Sequence, residues 1–191
     1  MKRMSLLLAL AMAFAAGGAS ARDNVTDPSI PRQLPASGPV SVEWTDPAQF
    51  SELRYSGNRW EAERGNWVVE LARHLQARAA RHLAPGQRLQ VTITDITRAG
   101  SYLHPGSVRN DIRIVQDMYP PRMSLHFRLT GEDGTVVSEG ERKLRDPAFL
   151  SQAGANNSDA LRYEKRMIDD WLRQEFGRRA DLRHDAMRTA R

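Results

Sequence analysis

The chain has 191 residues, of which 40% are hydrophobic and 27% charged, and it contains no cysteine. This length favours a single domain, and the composition is typical of a globular protein rather than a disordered or fibrous one. The lack of cysteine excludes disulfides, thiolate metal ligands, cysteine nucleophiles and cysteine-linked lipid anchors.

Residues 1–21 have the pattern of a cleavable signal peptide. Lys2 and Arg3 give a positive start, residues 6–16 are an apolar run, and Ala19-Ser20-Ala21 is a small-x-small cleavage site. The apolar run is too short for a membrane span, which needs about 20 residues. We therefore expect cleavage after Ala21, no transmembrane segment in the remaining chain, and a periplasmic or secreted protein.

The formal net charge of +5 does not by itself indicate a nucleic-acid partner. Loss of Lys2 and Arg3 with the signal peptide lowers this charge by two. Most arginines stand within a few residues of Asp or Glu, as in residues 58–64, which favours a self-compensated surface. A nucleic-acid interface would need a basic stripe with interleaved aromatic residues, and the sequence has none.

The predicted elements begin after a proline-rich leader at residues 22–39, which we expect to be extended and to precede the domain. Alternation predicts a strand at residues 40–44. Helical spacing of apolar residues predicts a helix from about Trp60 to Leu83, with Trp60 and Trp67 on its buried face.

The sequence predicts mainly strands in the second half of the chain. Alternation predicts strands at 89–96, from Ile112 towards the Tyr119-Pro120-Pro121 stop, at 123–130 and at 135–144, with a loop at 97–110. Glu132-Asp133-Gly134 indicates a tight turn that joins the last two strands as a hairpin. Ser158 is the predicted cap of a second helix that ends at Gly177.

This order predicts an α+β fold in one domain at residues 40–176. We expect a mostly antiparallel sheet of about four to five strands, with two amphipathic helices packed on one face. An arginine-rich tail at residues 177–191 follows, with few apolar residues.

Several short motifs carry a resemblance to a known family. They are ITDI at 93–96, DIRI at 111–114, YPPR at 119–122, YEK at 163–165 and DWL at 170–172. In this order they resemble the DUF3016 family of exported bacterial proteins, across residues 40–176. The resemblance implies export from a bacterial cell, and it implies no activity, cofactor or catalytic residue.

The candidate binding surface lies between the predicted strands. Its members are polar or aromatic residues clustered in sequence: Asp95, Arg98, Tyr102, His104, Asp111, Asp117 and Tyr119. Aspartates at strand ends beside a histidine could bind a divalent metal or act in acid/base catalysis. The alternative is structural, since Asp at a strand end often caps a turn and the YPPR segment can be a simple bend.

No catalytic, nucleotide-binding or metal-binding motif stands in the sequence, and we predict no cofactor, metal or catalytic residue. The expected function is that of a non-enzymatic envelope module that binds a protein or an anionic envelope component. The alternative hypothesis is a small metal-assisted or acid/base enzyme that uses the region from Asp95 to Asp117. The arginine-rich tail is a candidate contact with anionic lipid.

Overall fold

The computed structural model describes residues 24–102, 110–151 and 157–177, which form an α+β fold. The strands are β1 (Val40–Trp44), β2 (Arg88–Thr97), β3 (Ser101–Tyr102), β4 (Arg113–Ile114), β5 (Arg122–Thr130) and β6 (Val136–Arg145). The helices are α1 (Ser51–Arg54), α2 (Arg59–Glu63), α3 (Trp67–Ala79) and α4 (Arg162–Leu172), which continues as a π-helical turn at Arg173–Gly177.

The main sheet has four strands in the order β1-β2-β5-β6. β1 and β2 are parallel because the chain crosses between them through α1, α2 and α3, whereas β2-β5 and β5-β6 are antiparallel. β3 and β4 form a separate two-stranded sheet. The predicted α+β fold with a mostly antiparallel sheet is therefore confirmed.

The larger of two clusters of buried hydrophobic residues joins the helices to a single face of the main sheet. Alternate residues of β2 and β5 are buried, and the apolar faces of α3 and α4 pack against them, which removes a large apolar area from water. The main contributors are Val91, Ile93, Leu125, Phe127, Leu71, Leu75, Ile168 and Trp171. Phe127 also contacts Trp171 and Phe176 in edge-to-face geometry.

The predicted hairpin between β5 and β6 is present. The amide of Gly131 donates to the carbonyl of Thr135 at 2.8 Å, and Gly134 takes a φ of +81° that favours glycine. The turn is therefore specified locally by the sequence, as the Glu-Asp-Gly pattern indicated.

The predicted first helix is wrong in one respect, since it is broken into α2 and α3. Gly65 takes a φ of +89° between them, and the leader pairs there through Asn24 and Arg64. Trp67 is buried as expected, but the Trp60 side chain is 60% exposed and lies beneath the Arg64 guanidinium. The break rotates Trp60 away from the face that α3 buries.

Two other boundaries also differ from the prediction. The strand expected from Ile112 is reduced to β4, which pairs with β3 and lies outside the main sheet. Ser158 does not cap α4, because the helix begins at Arg162 and Asp159 accepts the amide of Leu161 instead.

The leader is closely joined to the domain rather than merely preceding it. Val25 and Leu34 are buried in the core. The amide of Leu34 donates to the carbonyl of Val42, and the amide of Trp44 donates to the carbonyl of Arg32. These residues lie between the prolines, so their backbone groups remain free to pair with β1.

The predicted signal peptide, His104 and the arginine-rich tail beyond Gly177 lie outside the described residues. Within the described ranges, no helix combines the length and apolar character that crossing a membrane requires.

Candidate functional site

Asp95, a predicted site residue, holds the start of α1. Its Oδ1 accepts a hydrogen bond from the Ser51 amide at 2.6 Å, and its Oδ2 accepts one from the Ser51 hydroxyl at 2.7 Å. Phe50, which precedes α1, has no side chain that can cap the helix. β2 therefore supplies the acceptor that the free amides of a helix N-terminus need.

β2 leads into a corner at residues 98–100 whose amides are accepted by two buried glutamates. The Arg98 amide lies 2.8 Å from Oε2 of Glu52, and the Ala99 amide lies 2.6 Å from Oε1 of Glu164. Glu52 belongs to α1 and Glu164 to α4, so the corner fastens both helices to the end of the sheet.

The carbonyls of the same corner are bound by Arg113 of β4. Its Nε donates to the Ala99 carbonyl at 2.7 Å, and its Nη2 donates to the carbonyls of Arg98 at 2.9 Å and Gly100 at 3.1 Å. A planar guanidinium presents several rigid donors at once, which suits this set of acceptors better than an ammonium group would.

Glu52 completes an ion-pair cluster with two arginines. Its side chain is 3% exposed, and its Oε1 lies 2.6 Å from Nη1 of Arg113 and 3.0 Å from Nη2 of Arg98. Burial raises the pKa of Glu52, but the adjacent positive charges and their hydrogen bonds outweigh it, so the pKa lies below its ordinary value. Glu52 is therefore a fixed negative charge at neutral pH.

The pKa of Glu164 shifts in the opposite direction from that of Glu52. Burial raises the pKa of its carboxyl above the ordinary value, and the hydrogen bond from Ala99 offsets only part of that rise. Its Oε2 is buried and has no hydrogen-bond partner among the described residues. One carboxyl oxygen of Glu164 therefore binds the corner, and the other is buried without a hydrogen bond.

An open cleft of about 350 Å³ lies beside this corner, between α1, the β3-β4 pair and residues 118–122. Its aromatic and apolar lining comes from Tyr55, Tyr102, Met118, Tyr119 and Pro120. Its polar lining includes Ser51, Glu52, Asp95, Arg113 and Arg122. The Tyr102 ring stacks against the Arg113 guanidinium at 5.2 Å, so the ion-pair cluster also positions a wall of the cleft.

The structure brings several predicted site residues together here. Asp95, Tyr102 and Tyr119 line the cleft, and Arg98 belongs to the ion-pair cluster with Glu52. Asp111 and Asp117 are exposed and are not among the residues that line the cleft. His104 lies outside the described residues.

Three exposed apolar side chains line this cleft, and three more lie within seven residues of them in the sequence. Nine large hydrophobic residues are exposed in the described ranges, and six of them belong to residues 55–60 or 112–119. Those six are Tyr55, Trp60, Ile112, Val115, Met118 and Tyr119, of which Tyr55, Met118 and Tyr119 line the cleft. Clustered exposed apolar groups beside a concave surface are typical of an interaction site.

Two guanidinium groups at the site are bonded mainly within the fold, through all three nitrogens of Arg113 and through Nε and Nη2 of Arg98. Arg113 is bound to Glu52 and to three carbonyls. Arg98 is bound to Glu52 and to the Ala62 carbonyl, and it lies 4.6 Å from the Trp67 ring centre. Among the arginines that the structure describes at or beneath the cleft, only Arg122 has a side chain that forms no hydrogen bond or ion pair.

The carboxylates of this region are also engaged. Ser51 occupies both oxygens of Asp95, and two arginines occupy Glu52. Across the described ranges, no three His, Asp or Glu side chains are grouped so that they could hold a metal ion. The hypothesis of a metal-assisted or acid/base enzyme therefore gains no group of ligands from these residues and stays a prediction.

Sequence reasoning missed Glu52, Arg113 and Glu164 as members of the site. Arg113 lies within the DIRI motif and Glu164 within the YEK motif, both of which carried the family resemblance. No sequence motif pointed to Glu52, because a lone glutamate in a short polar stretch is expected to be exposed at the surface.

Comparison with known proteins returns a family without an assigned activity. No curated protein and no solved structure matches the chain. A family model described as "Protein of unknown function (DUF3016)" matches residues 38–174, from the start of β1 into the turn after α4. The matched region contains the corner, the ion-pair cluster and the cleft, and the chain belongs to the DUF3016 family.

Proposed function

We propose that this chain is an exported, non-enzymatic module that binds a segment of another protein in the cleft beside residues 98–100. The observation that carries the proposal is that three exposed apolar side chains, Tyr55, Met118 and Tyr119, line one concave surface. Aromatic residues and methionine are the side chains that anchor protein interfaces.

The hydrogen bonds that hold the polar side of the cleft support this proposal. Its polar side is held by the Glu52–Arg113 ion pair, by hydrogen bonds from Arg113 to three carbonyls, and by Asp95 at the start of α1. Binding to a surface that is already ordered loses less conformational entropy than binding to a mobile one. The cleft therefore needs little rearrangement to accept a partner.

The charge distribution favours a protein segment over an anionic envelope component. A phosphate or carboxylate ligand needs free donors, and all three guanidinium nitrogens of Arg113 and two of the three of Arg98 are already bonded within the fold. Among the described lining residues, Arg122 offers an exposed cation at the cleft. Apolar contact is accordingly the main attraction that these described residues offer.

Export is the second part of the proposal, and it rests on the pattern of residues 1–21. Cell fractionation followed by mass spectrometry tests it. We expect the protein in the periplasmic or extracellular fraction with Arg22 as its first residue. An intact Met1 on protein confined to the cytosol would contradict export.

Site-specific photocross-linking in the producing cell tests the binding site. A photoreactive phenylalanine analogue is placed at position 55 or 118, and a matched control is placed at the exposed Leu150, which does not line the cleft. We expect a discrete cross-linked protein from both cleft positions, and its yield should fall when Tyr119→Ser is added. The same bands from all three positions, or none from the cleft, would overturn the proposal.

A further inference from the structure

β6 lies at one edge of the main sheet, and within the described ranges no strand pairs with its outer side. The opposite edge differs, because leader residues 32–34 bond to β1 there. β6 has 10 residues and β1 has 5, so the uncovered edge is also the longer one. Such an edge presents amide and carbonyl groups with which a further strand can pair.

On the face of β6 that points away from the core, the acidic residues precede the basic residues. Its register with β5 places Ser138, Gly140, Arg142 and Leu144 beside core residues, and the intervening side chains lie on the opposite face. Those side chains are Glu139, Glu141, Lys143 and Arg145. The first half of this row is acidic and the second half is basic.

Most of these charges lack an ion-pair partner within the described part of the chain. Glu139 is paired with Arg128 at 2.7 Å, whereas Glu141, Lys143 and Arg145 form no ion pair there. Arg145 lies opposite Arg122 in the register, and like charges directly opposed across two strands are unfavourable. Negative charge placed beside the basic end of the row would therefore be stabilising.

We propose that β6 pairs antiparallel with β6 of a second copy of this chain, around a two-fold axis at residue 142. In that register Glu141 opposes the second copy's Lys143, and Glu139 opposes the second copy's Arg145. Each pair occurs twice because a two-fold interface repeats every contact. The acid-then-base order of the row is what makes the strand complementary to itself.

The residue at the axis is compatible with this pairing. Arg142 opposes its own copy, but its guanidinium is already bound by Glu175 at 2.8 and 3.0 Å. At the axis, the positive charge of each Arg142 is therefore balanced by Glu175 of its own copy. An unrelated strand would leave these charges without partners or oppose some of them with like charges, which favours a second copy.

Sedimentation of the chain that begins at Arg22 tests the proposal across a range of concentrations. We expect a reversible dimer. Its dissociation constant should be about tenfold higher in Glu141→Lys, because two opposite-charge pairs become like-charge pairs. The double variant Glu141→Lys/Lys143→Glu restores complementarity at unchanged net charge and is expected to restore the dimer. Glu132→Lys, in the exposed turn before β6, is the matched control.

A mixing experiment keeps the test decisive if a single variant loses stability. Glu139→Lys/Glu141→Lys makes the row wholly basic, and Lys143→Glu/Arg145→Glu makes it wholly acidic. We expect each variant to be monomeric alone and the two to form a heterodimer when mixed. A wild-type chain that stays monomeric, a dimer insensitive to these charges, or no heterodimer on mixing would overturn the pairing. None of these readouts depends on the cleft.

Discussion

Arg113 and Glu52 form a two-point contact, with Nη1 lying 2.6 Å from Oε1 and Nη2 lying 3.2 Å from Oε2, although 61 positions separate them in the chain. Arg113 comes from β4 and Glu52 from α1, so the pair joins the two sides of the cleft. Because Arg113 also binds three corner carbonyls, one side chain links the ion pair, the corner and the cleft wall.

Arg113→Ala is expected to destabilise the fold strongly. Glu52 would keep Arg98 as an ion-pair partner, but it would lose one of its two compensating charges, and the three corner carbonyls would lose their donor, so we expect a cost of about 3–5 kcal/mol. Arg128→Ala is the matched control, since the Arg128–Glu139 pair is exposed and is expected to contribute about 0–1 kcal/mol. Urea unfolding measures both free energies, and similar losses in the two variants would show that the Glu52–Arg113 pair has no special structural role.

Gly100→Ala is expected to destabilise more than Gly134→Ala. Both glycines have φ near +80°, so alanine should cost roughly 1–2 kcal/mol of backbone strain at either position. At Gly100 the new Cβ would also lie 2.7 Å from the Ile114 carbonyl oxygen, whereas Gly134 has no neighbour within 4 Å. The clash should add about 1–3 kcal/mol, and equal melting temperatures would argue against a tightly packed corner.

Glu164→Gln is expected to change the pH dependence of stability. A carboxyl whose pKa is raised on folding contributes stability that is present below its unfolded pKa and is lost as pH rises through the folded pKa. Glutamine keeps an acceptor for Ala99 but cannot ionise. The variant should therefore gain stability relative to the wild type as pH rises from the acid range to neutrality.

Urea unfolding at a series of pH values measures this difference in the free energy of unfolding. Glu132→Gln, at an exposed turn position, is the control and should track the wild type. A Glu164→Gln difference that stays constant with pH would contradict the account. Glu52 acts in the other direction, because its lowered pKa contributes stability that is lost as pH falls through the folded pKa.

Leu34→Ala tests whether the leader belongs to the folded unit. Leu34 is 8% exposed and packs in the core cluster, so truncation should cost about 2–5 kcal/mol. Gln33→Ala, at an exposed neighbouring position, should stay within about 0.5 kcal/mol of the wild type. An unfolding midpoint that Leu34→Ala leaves unchanged would mean that the leader only rests on the domain.

Elements specified by nearby residues could be predicted from the sequence. The β5-β6 hairpin follows from alternation on both sides of a Glu-Asp-Gly turn, and β2 follows from Leu89, Val91 and Ile93. The break before α3 was missed because helical spacing alone places Trp60 on the buried arc. Only the positive φ of Gly65 and the leader paired at Arg64 show that the helix cannot continue.

The candidate site could be predicted only in part. Asp95, Tyr102 and Tyr119 were identified because they cluster in sequence near the ends of strands. Glu52 and Glu164 were missed because their contacts with residues 98 and 99 span 46 and 65 positions. Glu52 lies in a short polar stretch with no local signal, and Glu164 lies in a family motif that indicates no role for the residue.

Hydrogen exchange with the cross-linked partner, once purified, tests whether the cleft is the binding site. We expect slower amide exchange in residues 51–60 and 115–122 when the partner binds, with the rest of the described chain unchanged. Tyr119→Ser should remove that protection while leaving the melting temperature within a few degrees, because Tyr119 is exposed. Protection confined to other segments, with none around the cleft, would contradict the proposed binding site.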